Sequence, residues 1–257
     1  MSEQEKVDVR RFVICDFETT SREAAEAHVV EWAALVVYPP WFDTPDREEH
    51  GGLVRPPIRI PAETSAIHHI TDADVANAPT WKTQSVLLAE LLGQVGTVAV
   101  AHNADYERTI IDNTPYMPTA TWLCTYKSAL RVWPDAPGHS NETLRYFLGH
   151  GTGRSQPQAA HSAAHDARVT AAILSELLKA ATVYDMLRWT NEPALLPRCP
   201  IDDWRGAPWA AIESSFLIWI ISKSATMRTD VVYCAQTELN RREAEAADKA
   251  NANEIPF

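Results

Sequence analysis

The sequence lacks an excess of positive charge: 23 Lys and Arg stand against 34 Asp and Glu, a formal net charge of -11 over 257 residues. That excludes a bulk electrostatic grip on nucleic acid, which needs clustered cations to neutralise phosphates. Any such contact is expected to be local and short. Paired cysteines are also missing. Cys15, Cys124, Cys199 and Cys234 are scattered with no pair at metal-ligand or redox spacing, and they read as reduced thiols. No apolar run reaches membrane-spanning length, and Met1-Ser2-Glu3-Gln4-Glu5 is acidic, unlike a secretion signal. A cytoplasmic protein with no membrane partner is expected. There are no internal repeats. What is present is 46% apolar and 22% charged residues in a chain long enough to bury a substantial core, the balance of a globular enzyme.

Phe12-Val13-Ile14-Cys15 reads as a first strand, His28 to Tyr38 as a second stopped by Pro39-Pro40, and a third ends at Leu53-Val54 before Arg55-Pro56-Pro57. Three strands in succession predict an antiparallel meander. A helix is expected from Thr80 to Leu92, with Thr80 as N-cap, Val86, Leu87 and Leu91 on its apolar side and Gly93 as stop. Thr97 to Ala101 reads as a buried strand. Beyond it the pattern gives a helix over 104–113, a strand over 121–124, helices near 126–132 and 140–148, and a long helix over 163–181. Strands paired locally and then alternating with helices define an α/β class, a mixed sheet flanked by helices. Residues 149–160, rich in Gly, Ser, Gln and Pro, read as a flexible loop. Past Pro193, Pro197 and Pro200 comes an aromatic block with Trp204, Trp209, Phe216 and Trp219, whose tryptophans are expected mostly in core packing. The expected division is a main domain over 8–185, a linker over 186–200, a small Trp-rich C-terminal module over 201–245 and a charged tail over 246–257.

Asp16-Phe17-Glu18-Thr19-Thr20 ends the first apolar run. Alternate residues of a strand share a face, so Asp16 and Glu18 point one way and Phe17 the other. Two like charges aimed at one spot repel and demand a cation. After the buried strand comes Ala101-His102-Asn103-Ala104-Asp105-Tyr106-Glu107-Arg108, with Asn103 placed to cap the next helix. At about 100° per residue, Glu107 falls between Ile110 and Ile111 on the apolar face, while Asp105 falls opposite with Asp112. Glu107 is therefore the acid expected to face the core, and Asp105 a first-turn acid on the helix dipole. In His161-Ser162-Ala163-Ala164-His165-Asp166-Ala167, Asp166 shares a face with Val169, Ile173 and Leu177. A carboxylate so placed implies a cation partner. Ser162 is a good N-cap, which leaves His161 on the preceding loop as a candidate general base.

Asp16-Phe17-Glu18-Thr19, His102-Asn103 through Glu107, and His161 to Asp166 followed by Ala167 resemble, in order, the three motifs of the DEDDh 3′–5′ exonucleases, proofreading-type enzymes with a ribonuclease H-like fold. The segments Gly52-Leu53-Val54-Arg55-Pro56, Ala66-Ile67-His68-His69-Ile70-Thr71, Trp122-Leu123-Cys124-Thr125 and Arg131-Val132-Trp133-Pro134 are similar to those of a DNA-degrading member. The resemblance implies Asp16, Glu18, Glu107 and Asp166 as metal ligands and His161 as general base. It departs at Glu107, where the family normally carries Asp. Such hard oxygen ligands suit two Mg²⁺ or Mn²⁺ ions, which also offset the negative charge of the substrate. Thr19, His102 and Asn103 are implied to line the terminal-nucleotide pocket, and Ile67 and His68 to stack on or wedge the terminal base. The implied reaction is hydrolysis of terminal phosphodiesters of DNA, single-stranded or duplex, to nucleoside 5′-monophosphates.

Three other readings stay open. The same chemistry applied to RNA is one, because no residue here decides how a 2′-hydroxyl is met. His161 and His165, four residues apart, would suit a zinc metallohydrolase, although the Ser162 cap separates them and no Glu lies between. An idle nucleic-acid-binding module would work through the Trp-rich block, with Arg205, Lys223, Arg228, Arg241 and Arg242 as a weakly basic face.

Overall fold

Arg11–Thr19 forms the central strand β1, and its β-branched and aromatic residues suit a sheet covered on both faces. In the computed structural model, which describes residues 8–39, 47–150 and 162–253, β1 pairs antiparallel with β2 (Val29–Val37), and β2 pairs antiparallel with β3 (Arg47–Leu53). On the other side β1 pairs parallel with β4 (Thr97–Ala101), and β4 with β5 (Thr121–Cys124). The order is β3-β2-β1-β4-β5. The expected meander and mixed sheet are both present.

Between β3 and β4 lie α1 (Ala62–His68), α2 (Asp72–Val75) and α3 (Trp81–Leu92), while α4 (Asp105–Asp112) links β4 to β5. Val13, Cys15 and Phe17 point to one face of the sheet, where they pack with Trp32, Leu88, Leu92, Ile110 and Ile111 under α3 and α4. By alternation Phe12, Ile14, Asp16 and Glu18 point to the other face. There α7 (Ala163–Ala180) packs across β1 and β2 and buries Val169, Ile173, Leu174 and Leu177. Gly51 of β3 lies close over β2, since a Cβ there would collide with the carbonyl of Trp32.

One face assignment is corrected. On α3 the buried residues are Ser85, Leu88, Leu91 and Leu92, whereas Val86 and Leu87 are exposed. Five apolar residues crowd more than one side of this helix, so its periodicity does not select the buried one. Gly93 ends it as expected, and Thr80 holds the N-cap position without a side-chain capping bond.

The chain divides into two units, Met1–Val132 with Ala136–Thr190, and Trp133–Asp135 with Asn191–Phe257. The first also contains α5 (Thr125–Val132), α6 (Asn141–Phe147) and most of α8 (Val183–Asn191). The linker expected over 186–200 therefore opens inside a helix. Thr190 explains why: its Oγ1 accepts the Cys124 N–H at 2.8 Å and its carbonyl accepts Lys127 Nζ at 2.9 Å, tying α8 to β5 and α5.

In the second unit Leu195, Leu196, Cys199 and Ile201 already join the core of Trp209, Ile212, Leu217, Ile220 and Val231. α9 (Ser214–Ser222) buries Leu217 and Ile220 but leaves Ile218 and Trp219 at the surface, Trp219 stacked on Phe216 at 5.2 Å. Core packing thus holds for Trp209, whose Nε1 donates to the Leu196 carbonyl at 2.7 Å, and not for Trp219. α10 (Thr229–Asn253) carries helix into the expected tail. The weakly basic face is reduced, since Arg241 and Arg242 both pair with Glu238, and Arg228 with Asp230. All four cysteines are free and buried. Among the described residues no helix is long and apolar enough to cross a membrane.

Candidate metal centre

The register of β1 on β2 runs Asp16↔Ala33 and Glu18↔Glu31, then jumps to Thr19↔Val29. A bulge of this kind re-aims side chains at the end of a strand. Asp16 and Glu18 share the face that alternation assigns them, and Asp166 reaches them from the first turn of α7. One oxygen of each lies within 4.8 Å of the others. Ser162 sets the start of α7, its Oγ accepting the His165 N–H at 3.3 Å. The cap is the one expected from sequence. His161 itself lies outside the described residues.

Helical periodicity separates the two acids of α4 correctly. Glu107 is 5% exposed, on the same face as buried Ile110 and Ile111. The Asp105 side chain is 60% exposed and pairs with Lys127 Nζ at 2.9 Å. The cap expected before this helix differs. Asn103 takes a left-handed φ of 69° and accepts the Tyr106 N–H through its backbone carbonyl at 3.0 Å, while Ala104 holds the N-cap position.

Electrostatics binds the four acids together. Burial, then Asp166 and Glu31, pushes the Glu18 carboxyl up to about 8. Asp16 is raised well above the carboxylate range by burial, followed by Asp166, Glu107, Glu18 and Glu31. Burial pushes Glu107 up to about 8 against a backbone hydrogen bond that lowers it, with Glu18 and Asp105 adding repulsion. Its Oε2 is buried with no hydrogen-bond partner among the described residues. Without a counter-charge such a group must hold protons, and a divalent cation does the same work at neutral pH. The residues present therefore fit a metal bound through oxygen, with Asp16, Glu18 and Asp166 around one point and Glu107 beside them.

Sequence pattern alone did not single out Glu31. It lies opposite Glu18 in the β-ladder, and its Oε2 accepts the Ala163 N–H at 2.9 Å. A signal was available, because Glu31 interrupts the apolar run from His28 to Tyr38. His165 Nε2 meets Glu142 Oε1 at 2.9 Å, and Glu142, His165 and Asp166 form a second group whose ligand atoms lie within 4.8 Å of one another, without the His161 that the zinc reading paired with His165. Arg145 grips the same carboxylate at 2.8 Å.

Several residues expected to meet substrate are turned inward. His102 Nε2 lies 2.7 Å from the His139 carbonyl and Nδ1 lies 2.9 Å from Thr125 Oγ1. Nε2 therefore carries the proton, and burial depresses the pKa to about 4, keeping the ring neutral. Both nitrogens are used within the protein, so His102 offers a nucleotide no polar atom. Thr19 Oγ1 donates to the Ser21 carbonyl at 2.8 Å and meets Tyr106 Oη. His68 is buried at the end of α1, its Nδ1 accepting the Ile70 N–H at 3.0 Å. It cannot stack on a base from there, whereas Ile67 is half-buried and Asn103 exposed.

This arrangement defines a nuclease of the ribonuclease H-like class. The chain belongs to the RNase_T exonuclease family, whose family model matches residues 13–174, and within it to the DEDDh group. Exodeoxyribonuclease 10 of Escherichia coli (strain K12) is 29% identical over 184 residues, 70% of this chain and 79% of the relative. DNA polymerase III subunit epsilon of Treponema pallidum (strain Nichols) is 28% identical over 182 residues, 65% of this chain and 76% of the relative. Among solved structures, Exonuclease X in complex with 5′ overhanging duplex DNA matches with a TM-score of 0.56 at 29% identity, over 70% of this chain and 99% of that one. A structure of exonuclease I matches with a TM-score of 0.59 at 14% identity over 86% of this chain and 61% of that one, a likeness of fold alone.

Proposed function

We propose that the protein is a metal-dependent 3′–5′ exonuclease that hydrolyses terminal phosphodiesters of DNA and releases nucleoside 5′-monophosphates. The observation that carries this reading is the convergence of Asp16 and Glu18 from β1 with Asp166 from α7, a set that burial and mutual repulsion make cation-demanding, with buried Glu107 of α4 adding to the repulsion on Asp16. The two relatives named for DNA enzymes, and the solved relative holding duplex DNA, support DNA as substrate.

Asp16, Glu18, Glu107 and Asp166 would hold Mg²⁺ or Mn²⁺, which would supply polarisation of the phosphodiester and a lowered pKa for the attacking water. His161, immediately before the Ser162 cap, accepts the proton of that water. Neutral His102 fixes the end of β4 against α5 through Thr125 rather than touching substrate. Asn103 and Ile67 remain the residues of the expected pocket available to the terminal nucleotide. Four buried free thiols fit a reducing compartment, and a cytoplasmic setting is part of the proposal.

The test is incubation of 3′-labelled and 5′-labelled DNA, single-stranded and duplex, with Mg²⁺ or Mn²⁺, beside matched RNA and the Asp16→Ala protein. Stepwise loss from the 3′ end of DNA, abolished in the variant, is the expected result. Internal cleavage or unchanged activity of the variant overturns the reading, and faster loss from RNA moves the substrate to RNA.

A further inference from the structure

Glu31 is an acid beside the centre that the sequence motifs do not assign. It lies near the start of β2 among Val29, Val30, Trp32 and Ala33, where a carboxylate has no local reason to be. Its cross-strand partner is Glu18, and like charges directly opposite each other destabilise a ladder. A residue carrying these penalties needs a compensating contact. That contact is its Oε2 on the backbone N–H of Ala163 at 2.9 Å, the first residue of α7, three before Asp166.

A helix N-terminus leaves its first N–H groups without intrahelical partners. Ser162 Oγ satisfies the His165 N–H, and Glu31 satisfies that of Ala163. The second contact comes from the sheet, so it fixes where α7 begins relative to β1 and β2. Asp166 rides on that first turn and must bring an oxygen within 4.8 Å of Asp16 and Glu18. Glu31 is not itself in that group of converging oxygens.

We propose that Glu31 is a positioning residue for the metal centre: its hydrogen bond to the Ala163 N–H registers the start of α7 against β1 and so holds Asp166 at metal-binding distance from Asp16 and Glu18. This rests on reading those acids as metal ligands. Partners of this kind, which orient ligands without touching the ion, are typically worth about 10–100-fold in metal affinity.

The contact can be broken from either side. Glu31→Ala removes the acceptor. Ala163→Pro removes the donor at the first helical position, where proline is tolerated, and the extended Ser162 (φ −114°, ψ 138°) suits a following proline. Glu31→Gln keeps an acceptor oxygen and drops the charge. The measurement is Mn²⁺ binding to the full chain by electron paramagnetic resonance without nucleic acid, with circular dichroism as the check on folding.

Expected are losses of roughly tenfold or more for Glu31→Ala and for Ala163→Pro, no further loss when the two are combined, and affinity within about threefold of wild type for Glu31→Gln. Equal losses in the Gln and Ala variants, or wild-type affinity in Glu31→Ala, overturn the proposal. If Glu31→Ala does not fold, Ala163→Pro against Glu31→Gln still decides. Should wild type bind Mn²⁺ in this Glu31-dependent way yet leave DNA and RNA intact, the exonuclease reading fails while Glu31 keeps its role. A wild type that degrades strands beside a Glu31→Ala protein of undiminished Mn²⁺ affinity removes the role of Glu31 and leaves the exonuclease reading standing.

Discussion

Replacing Glu107 by Gln should stabilise the metal-free protein while disabling the enzyme. The Glu107 carboxyl is buried, its Oε2 has no partner among the described residues, and its pKa is pushed up to about 8, chiefly by burial. Because the folded-state value is raised, the folded protein keeps a proton that the unfolded chain releases. Stability therefore falls as pH rises from about 4.5 and stops falling above about 8. At pH 7 this amounts to at most about 3 kcal/mol, which Gln, shaped like the protonated acid and unable to ionise, removes. In a chain of this size that corresponds to a rise in Tm of roughly 6–12 °C. The assay is thermal unfolding by circular dichroism in EDTA at pH 5 and pH 8. The gap between variant and wild type should be small at pH 5 and large at pH 8, and excess Mn²⁺ should narrow or reverse it by favouring the protein that keeps the ligand. A variant that melts with wild type at pH 8 in EDTA, or a gap independent of pH, would refute the reasoning.

The two acids of α4 should separate in activity. Glu107→Gln is expected to lower kcat by about 100-fold or more, whereas Asp105→Asn, exposed and facing Lys127, should stay within about threefold, as read by release of labelled nucleotide. Comparable losses in both would mean that α4 presents its other face to the metal. On α3, Leu88→Ala should destabilise by about 2–5 kcal/mol and Val86→Ala by no more than about 0.5 kcal/mol in urea titrations, because Leu88 is fully buried and Val86 is 57% exposed. Equal costs would contradict the observed face.

The sequence was informative wherever one element alone decides where a side chain points. Alternation placed Asp16 and Glu18 on one face of β1, a 3.6-residue period selected Glu107 over Asp105, and Ser162 marked the start of α7. The antiparallel meander and the parallel strands after it were legible for the same reason, since turn residues and apolar runs are local signals. Where the apolar pattern covered more than one side, as on α3 with Val86, Leu87, Leu88, Leu91 and Leu92, it left the buried face undecided.

Contacts between segments distant in the chain set the rest. His102 looked like a ligand for nucleotide until Thr125 and the His139 carbonyl, 23 and 37 residues away, took both its nitrogens. The expected linker opens inside α8 because Thr190 bonds to Cys124 and Lys127. Glu31 was visible as a charge in an apolar strand, yet its partner lies 132 residues away at the start of α7. By itself the sequence determined which acids would be driven together, because strand and helix periods are properties of the backbone. Only the tertiary structure decided how closely they meet and what holds them there, because that depends on hydrogen bonds whose two ends belong to different elements.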